Sequence, residues 1–416
     1  MTGYRPPPYP YERLGRARAL ADAHPGGLVD LSIGTPCDPP PPAVVAALAS
    51  SGAERGYPSS VGSARFREAA RGWLARNLLV EVDASSVLAC VGTKEMVVSL
   101  PHWLRLRNPE RDTVLYPELA YPSYAMGAEL AGCQAVPVPL RADGSGRLDL
   151  GRVLEADAAR ALVLWVNSPA NPTGALDDLG RAAEWGRAHG VLVVSDECYV
   201  AFTWDGPGRS ILENGPEGVL ALHSLSKRSN LAGLRVGFCA GDPELVHYLG
   251  EVRKHAGLMV SGPVQVAAVV ALDDEAHVVA QRMRYRERLD RFAAVLGQVG
   301  IDVSPPAGGF YLWASVPGTT GGPAGPGPAG PGLAGPGPAG PGPAGPGPAG
   351  PGPAGPGPAG PGQGPAWAWT EELARRGGVL VSPGDLYGPA GTAHMRVAMV
   401  APMDRLDLVA RRMGVD

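Results

Sequence analysis

ARALVLWVNSPANPTGALDDLGRAAEWGRAHGVLVVSDECYV, residues 159–200, decides the fold. It opens on a run of apolar residues that stops at Asn167 and enters a Pro/Asn loop. A helix follows (RAAEWGRAHG), closed by Gly190, and then a second apolar run ends in Ser-Asp-Glu-Cys-Tyr. Neither run alternates apolar with polar, so both faces of each strand must be covered. The pattern recurs on either side. SSVLACVG turns into the helix KEMVVSLPHWL; DTVLYPE and CQAVPVPL read as strands; GVLALHSLS and RVGFCAG are further buried strands. Continuous apolar strands separated by helices predict an α/β fold with a mostly parallel sheet covered on both faces. Such sheets bind ligands in the crevice beyond the strand C-termini. Three polar clusters fall there: Asn167 to Gly174, Ser195 to Tyr199, and Ser224 to Lys227.

From about Pro263 the chain becomes helical and charged, and it is expected to bridge to a smaller α+β domain. The expected organisation is an N-terminal arm with part of the small domain (1–50), a large domain (51–290) and a small C-terminal domain (291–416). The proline-rich start is expected to pack on the small domain. Residues 317–365 repeat Pro-Ala-Gly-Pro-Gly with a period of five. Collagen requires glycine at every third position, so a collagen-like protein is excluded. The tract has too little apolar surface to pack and reads as a low-complexity surface insertion, disordered or polyproline-like. Closing a loop of that length costs only roughly 2 kcal/mol more than closing a five-residue one, which a stable domain tolerates.

With 416 residues, two domains and a large core are affordable, and a net charge of −4 gives no case for nucleic acid or an anionic membrane surface. The first twenty residues contain no apolar run of signal-peptide type, and no segment reaches transmembrane length. Five scattered cysteines without a C-x-x-C pair fit reduced thiols in a cytoplasm better than a disulfide frame or a zinc site.

In HSLSKRSNLAGLRVGF (223–238), Lys227 follows a buried strand, stands among hydroxyls and precedes Arg235 by eight positions. An amine in a poorly solvated crevice beside other positive charge has a lowered pKa and becomes a usable nucleophile and base. Ser224, Ser226 and Arg235 suit a phosphate dianion, the guanidinium binding two of its oxygens. An amine joined to a phosphorylated aldehyde accounts for both features, and pyridoxal 5'-phosphate is such an aldehyde. Asp196 at a strand end suits a pyridinium nitrogen, and Tyr199 and Asn171 suit the ring's phenolic oxygen. The turn VGTKE places Thr93 and Lys94 at a helix start, where free N–H groups and the dipole favour phosphate. Tyr121 offers an aromatic plate for the ring. Taken singly, each residue also has a plain structural explanation: Lys227 as a snorkelling surface lysine, Tyr57 and Tyr121 as core aromatics, Asp196 as a turn cap, Arg396 as a sheet-edge arginine, Gly34 as a turn glycine. Their joint occurrence in one order weighs against those explanations.

SLSKRSNLAGLRVG, with NPTG, SDECY and the late HMRVAM in the same order, resembles the class I/II aminotransferases over nearly the whole chain outside the Pro/Gly tract. The resemblance implies a fold-type I architecture: a large domain with a mostly parallel seven-stranded sheet, a smaller α+β domain, and a homodimer with active sites at the subunit interface. It implies Lys227 as the Schiff-base lysine, Asp196 as the pyridine partner, and Tyr199 and Asn171 as donors to the phenolic oxygen, with Tyr121 stacked on the ring. Thr93, Lys94, Ser224, Ser226 and Arg235 are implied at the phosphate, Tyr57 at the neighbouring subunit's phosphate, and Gly34, Arg396 and Asn171 at the substrate, the first two at its carboxylate. Longer stretches, including DLSIGTPCDPPP, PELAYPSYAMGAELAG and SPGDLYGPAG, resemble the N-succinyldiaminopimelate aminotransferases of bacterial lysine and cell-wall biosynthesis. That implies glutamate as donor and N-succinyl-2-amino-6-oxopimelate as acceptor. Three alternatives stand beside it: an aminotransferase for aspartate, aromatic or other dicarboxylic amino acids; a cofactor-dependent C–S lyase or decarboxylase; and a cofactor-sensing transcription regulator. The last requires a DNA-binding module, for which the proline-rich residues before Tyr57 leave little room.

Overall fold

The computed structural model describes residues 4–204, 206–317 and 364–415. The Pro/Gly tract read above therefore lies almost wholly outside the described residues. In chain order the strands are β1 (Val29–Asp30), β2 (Val87–Cys90), β3 (Thr113–Pro117), β4 (Gln134–Val138), β5 (Ala161–Asn167), β6 (Leu192–Asp196), β7 (Val219–Ser224), β8 (Gly237–Gly241), β9 (Tyr311–Ser315), β10 (Val379–Leu380), β11 (Ser382–Pro383) and β12 (His394–Ala398).

Seven of them form one sheet in the order β2-β8-β7-β6-β5-β3-β4. All neighbours pair in parallel except β8, which is antiparallel to both β2 and β7. Every residue of β5, β7 and β8 is buried, as the unbroken apolar runs require. The pleat sends alternate residues to opposite faces. Val219 and Ala221 of β7 enter the core under one face with Leu164, Val166 and Val193, while Leu220 and Leu222 enter the other with Trp165 and Val194. At about 1.5–3 kcal/mol for each large apolar side chain removed from water, these two cores carry the sheet. The helix Leu179–His189 covers one face; Asp178 caps it by accepting from the Arg181 amide at 3.0 Å, and Gly190 ends it with φ 60°.

A second core gathers around the antiparallel sheet β11-β12-β9 and the parallel pair β1-β10. Strand β12 decides what this part contributes. Met395 and Val397 point into the core, so Arg396 between them must face the other way. The helix Gly15–Asp22 packs on the helix Pro365–Gly377. The helix Ala276–Gln298 runs unbroken through residue 290, and Tyr285, Leu289 and Phe292 already belong to the second core. We propose the three-part division read from the sequence with this helix as its junction. Among the described residues no helix is long and apolar enough to cross a membrane, and the five cysteines are free.

Candidate active site

A cavity of about 440 Å³ opens beyond the C-terminal ends of β5, β6 and β7. It is bounded on the far side by Gly34, Tyr311 and Arg396, from the segments built around the second core. Its size is that of a small-molecule site.

Lys227 reaches it from the four-residue helix Leu225–Arg228 directly after β7, where the Ser224 hydroxyl caps the Ser226 amide at 3.1 Å. Its ammonium donates to the Gly34 carbonyl. Burial pushes the amine down to about 8, with the charges of Arg396 and Arg235 acting in the same direction and Cys198 and Asp196 opposing. The unprotonated form that a nucleophile requires is thus easier to reach near neutral pH than for a solvated lysine.

Asp196 ends β6. Its Oδ2 accepts from the Tyr124 hydroxyl at 2.8 Å and its Oδ1 from the Cys198 amide at 3.2 Å. Burial raises its pKa, while those hydrogen bonds and the Lys227 charge favour the carboxylate. The Asn167 side chain ties the loop after β5 to this strand end, donating to the Asp196 carbonyl at 2.8 Å and accepting from the Asn171 amide at 2.7 Å. Asn171 Oδ1 in turn accepts from Arg396 at 2.8 Å, which leaves its NH2 group as the one available to a ligand. The peptide bonds Ser168–Pro169 and Asn171–Pro172 are cis.

Arg396 is almost fully buried, sandwiched between the rings of Tyr311 and Tyr387 at 4.3 and 4.7 Å, and also donates to the Ser32 carbonyl. Stacking and the Asn171 bond fix the plane of a guanidinium suited to binding a carboxylate through two N–H groups. Tyr199 is buried, and its hydroxyl lies 2.8 Å from that of Tyr311. Tyr121 lines the cavity with Lys94 Nζ 5.8 Å from its ring centre; the same ammonium lies 4.9 Å over Tyr9.

One end of the cavity is a cup suited to a phosphate. The helix Thr93–Arg107 begins at Gly92, whose φ of 72° turns the chain into it. First-turn amides of a helix have no acceptor of their own, so those of Thr93 and Lys94 suit an anion. Thr93 Oγ1 lies 3.2 Å from Cys198 Sγ. Arg235, in the left-handed region at φ 52°, bonds the Ala232 carbonyl at 2.9 Å and presses its guanidinium against Gly92 so closely that a Cβ there would overlap it. Amides, two serine hydroxyls and a guanidinium thus converge, with a carboxylate and a depressed amine farther in. This donor set fits pyridoxal phosphate.

Of the residues picked out in the sequence, Gly34, Thr93, Lys94, Tyr121, Asn171, Asp196, Tyr199, Ser224, Ser226, Lys227, Arg235 and Arg396 all line the cavity. Tyr57 does not; it is fully exposed on the isolated chain. Sequence reasoning missed Tyr9, Tyr11, Tyr124, Cys198 and Tyr311, which also line it. Cys198 and Tyr124 sit inside the quoted motifs SDECY and YPSY and were within reach of a reading of strand-end geometry.

Comparison with known proteins agrees with the geometry. Residues 27–412 match the family described as Aminotransferase class I and II. A probable aminotransferase of Mycobacterium tuberculosis is 41% identical over 98% of this chain and 85% of its own length. The 4-dedimethylamino-4-oxo-anhydrotetracycline transaminase OxyQ of Streptomyces rimosus is 37% identical over 98% of this chain and 99% of its own. Among solved structures, a probable N-succinyldiaminopimelate aminotransferase from Thermus thermophilus superposes with a TM-score of 0.77 at 30% identity, covering 97% of this chain and 99% of that one. The chain belongs to the class I and II aminotransferases, a pyridoxal-phosphate-dependent family of fold-type I whose members act on amino and keto acids.

Proposed function

We propose that this chain transfers the amino group of glutamate to N-succinyl-2-amino-6-oxopimelate, giving 2-oxoglutarate and N-succinyl-LL-2,6-diaminopimelate, as a cytoplasmic homodimer. The observation that carries amino transfer is the buried Lys227 amine, held at about 8, facing Arg396 across the cavity that Asp196 closes. When bound, the cofactor supplies an electron sink for a carbanion at the substrate's α-carbon. Lys227 would hold the cofactor, and its amine would move the proton at the substrate's α-carbon. Asp196, kept anionic by Tyr124 and the Cys198 amide, holds the pyridine nitrogen protonated. Tyr199 and the Asn171 NH2 group would donate to the phenolic oxygen, and Tyr121 would offer its face to the ring. The backbone amides of Thr93 and Lys94, with Ser224, Ser226 and Arg235, would hold the phosphate, with Tyr57 reaching the site of a second subunit. Arg396 and the backbone at Gly34 fix the α-carboxylate and so orient the bond to be broken. The acceptor assignment draws on the name of the Thermus thermophilus relative and on the longer sequence resemblances.

One observation favours a second reading. Six tyrosines line the cavity, and once the roles above are assigned Lys94 is the one remaining cationic side chain lining it among the described residues. A flat, mostly uncharged ketone suits that wall better than a chain with several carboxylates, and OxyQ is named for such a substrate. Purified protein given glutamate with the succinylated keto acid, oxaloacetate, aromatic keto acids or a polycyclic ketone distinguishes these through 2-oxoglutarate release. Preference for oxaloacetate or the polycyclic ketone over the succinylated acceptor refutes the first reading. Lys227→Ala is expected to abolish turnover and the visible absorbance of the lysine-bound cofactor; normal turnover in that variant refutes amino transfer at this site.

A further inference from the structure

Two phenols meet at the wall of the cavity, and only one has been given a task. The hydroxyl oxygens of Tyr199 and Tyr311 are 2.8 Å apart and both side chains are buried. Each hydroxyl brings one proton, and only one proton fits between the two oxygens; the other is left for a third partner. Tyr311 has little freedom to turn away. Its ring lies under the Arg396 guanidinium at 4.3 Å, and its hydroxyl is wedged against Gly34, where an added Cβ would overlap it. Strand β9 holds it from below, Phe310 and Leu312 being anchored in the second core.

We propose that Tyr311 is a positioning residue for amino transfer: its O–H donates to the Tyr199 oxygen when the cofactor is bound, directing the Tyr199 proton to the cofactor's phenolic oxygen, while its ring holds Arg396 level for the substrate carboxylate. One side chain thereby joins carboxylate capture to the donor that stabilises the cofactor's oxygen anion. The inference rests on the roles proposed above for Tyr199 and Arg396. The titratable and charged groups facing this pair are Arg396, Tyr11, Tyr121, Cys198 and Tyr285. A change caused by deleting one hydroxyl is to be read against those five, which Tyr311→Phe leaves in place.

The test separates the two parts of Tyr311. Tyr311→Phe keeps the ring on Arg396 and deletes one oxygen, so packing is preserved. The pH midpoint of the visible absorbance of the lysine-bound cofactor is expected to rise by about one unit, a tenfold weaker hold on the anionic form. The kcat is expected to fall about tenfold, as for a lost hydrogen bond to a charged group, with KM for glutamate within about twofold. Tyr311→Leu, which also removes the ring, is expected to raise KM. Tyr199→Phe should shift the midpoint at least as far, and the double Phe variant no farther than Tyr199→Phe alone, because the second hydroxyl acts only through the first. An unmoved midpoint in Tyr311→Phe, or additive shifts in the double variant, overturns the inference while leaving the proposed function standing. Wild-type protein without a cofactor band, or Lys227→Ala that keeps one, overturns the proposed function itself.

Discussion

Arg253 offers the sharpest test of how the phosphate cup is held. It lies in the helix Pro243–His255 with a side chain that is 0% exposed, pairs with the Glu95 carboxylate, and donates to the Ala89 carbonyl of β2 at 3.2 Å. Glu95 is fastened in turn by the Val91 amide at 3.2 Å and the Ser99 hydroxyl at 2.9 Å. This carboxylate thus binds both sides of the turn at Gly92 whose amides face the cavity. Arg253→Met keeps the length of the side chain and removes the charge, leaving Glu95, 16% exposed, without its cation. Deleting one partner of a buried pair costs about 3–5 kcal/mol, and at about 2 °C per kcal/mol for a chain of this size the apo protein should lose about 6–10 °C in Tm. Cofactor affinity should fall about tenfold with it, because the turn amides lose their support. Differential scanning calorimetry and fluorescence titration with pyridoxal phosphate measure the two effects. The double variant Glu95→Leu with Arg253→Met should recover more than half of the lost stability, since an apolar pair carries no desolvation cost. A loss below about 1 kcal/mol in Arg253→Met, or a double variant worse than the sum of the singles, would refute the reasoning.

Glu197 follows Asp196 but points away from the cavity, 3.4 Å from His223; burial pushes the carboxyl up to about 8 and the imidazole down to about 3. Its folded pKa lies above the ordinary 4.5, so the stability it contributes is complete below 4.5 and lost as pH rises towards 8. Glu197→Gln should therefore gain on wild type by about 1.4 kcal/mol for each pH unit in that window; equal urea midpoint differences at pH 5 and pH 8 exclude it. Gly92→Ala sets a methyl group against the Arg235 guanidinium at a φ of 72° and should weaken pyridoxal phosphate binding at least tenfold; undiminished affinity by equilibrium dialysis rules this out. Arg396→Lys replaces a planar fork, stacked between two rings, by a point charge, and should raise KM for glutamate about ten- to a hundredfold. A KM within twofold of wild type in steady-state assays removes Arg396 from the carboxylate site.

The strands and the residues at their ends were legible because each signal is local. A buried strand with both faces covered cannot alternate, so ALVLWVN and VLALHS announce themselves, and the polar residue that ends each one stands at the sheet's rim. Lys227, Asp196 and Asn171 were found this way. The tyrosines from outside the large sheet were not. Tyr311 meets Tyr199 across 112 positions of sequence, and Tyr11 meets Tyr387 across 376; no periodicity within β9 or the N-terminal arm distinguishes a tyrosine facing a cavity from one facing a core. Glu197 is instructive in the opposite sense. Its motif was read for Asp196 and Tyr199, yet the period of two that turns Asp196 to the cavity must turn Glu197 away. The partner waiting there, His223, belongs to the next strand.

The single reversed strand, β8, has a mechanical result. Two parallel neighbours are joined only by a crossover of a dozen or more residues, usually a helix on the outer face. Had β8 run with β7, the connection would have had to cross to the opposite edge of the sheet, and Arg235, which comes just before β8, would have stood at the far end from Lys227. Because it runs back, one short reversal carries both Lys227 and Arg235 to the same rim. In the proposed function a single piece of chain would therefore hold both ends of the cofactor, and its length would set the span between them. Elsewhere this protein carries a long repetitive tract, but a residue added or removed between Ser229 and Leu234 would alter that span, and the gauge would no longer match the molecule it measures.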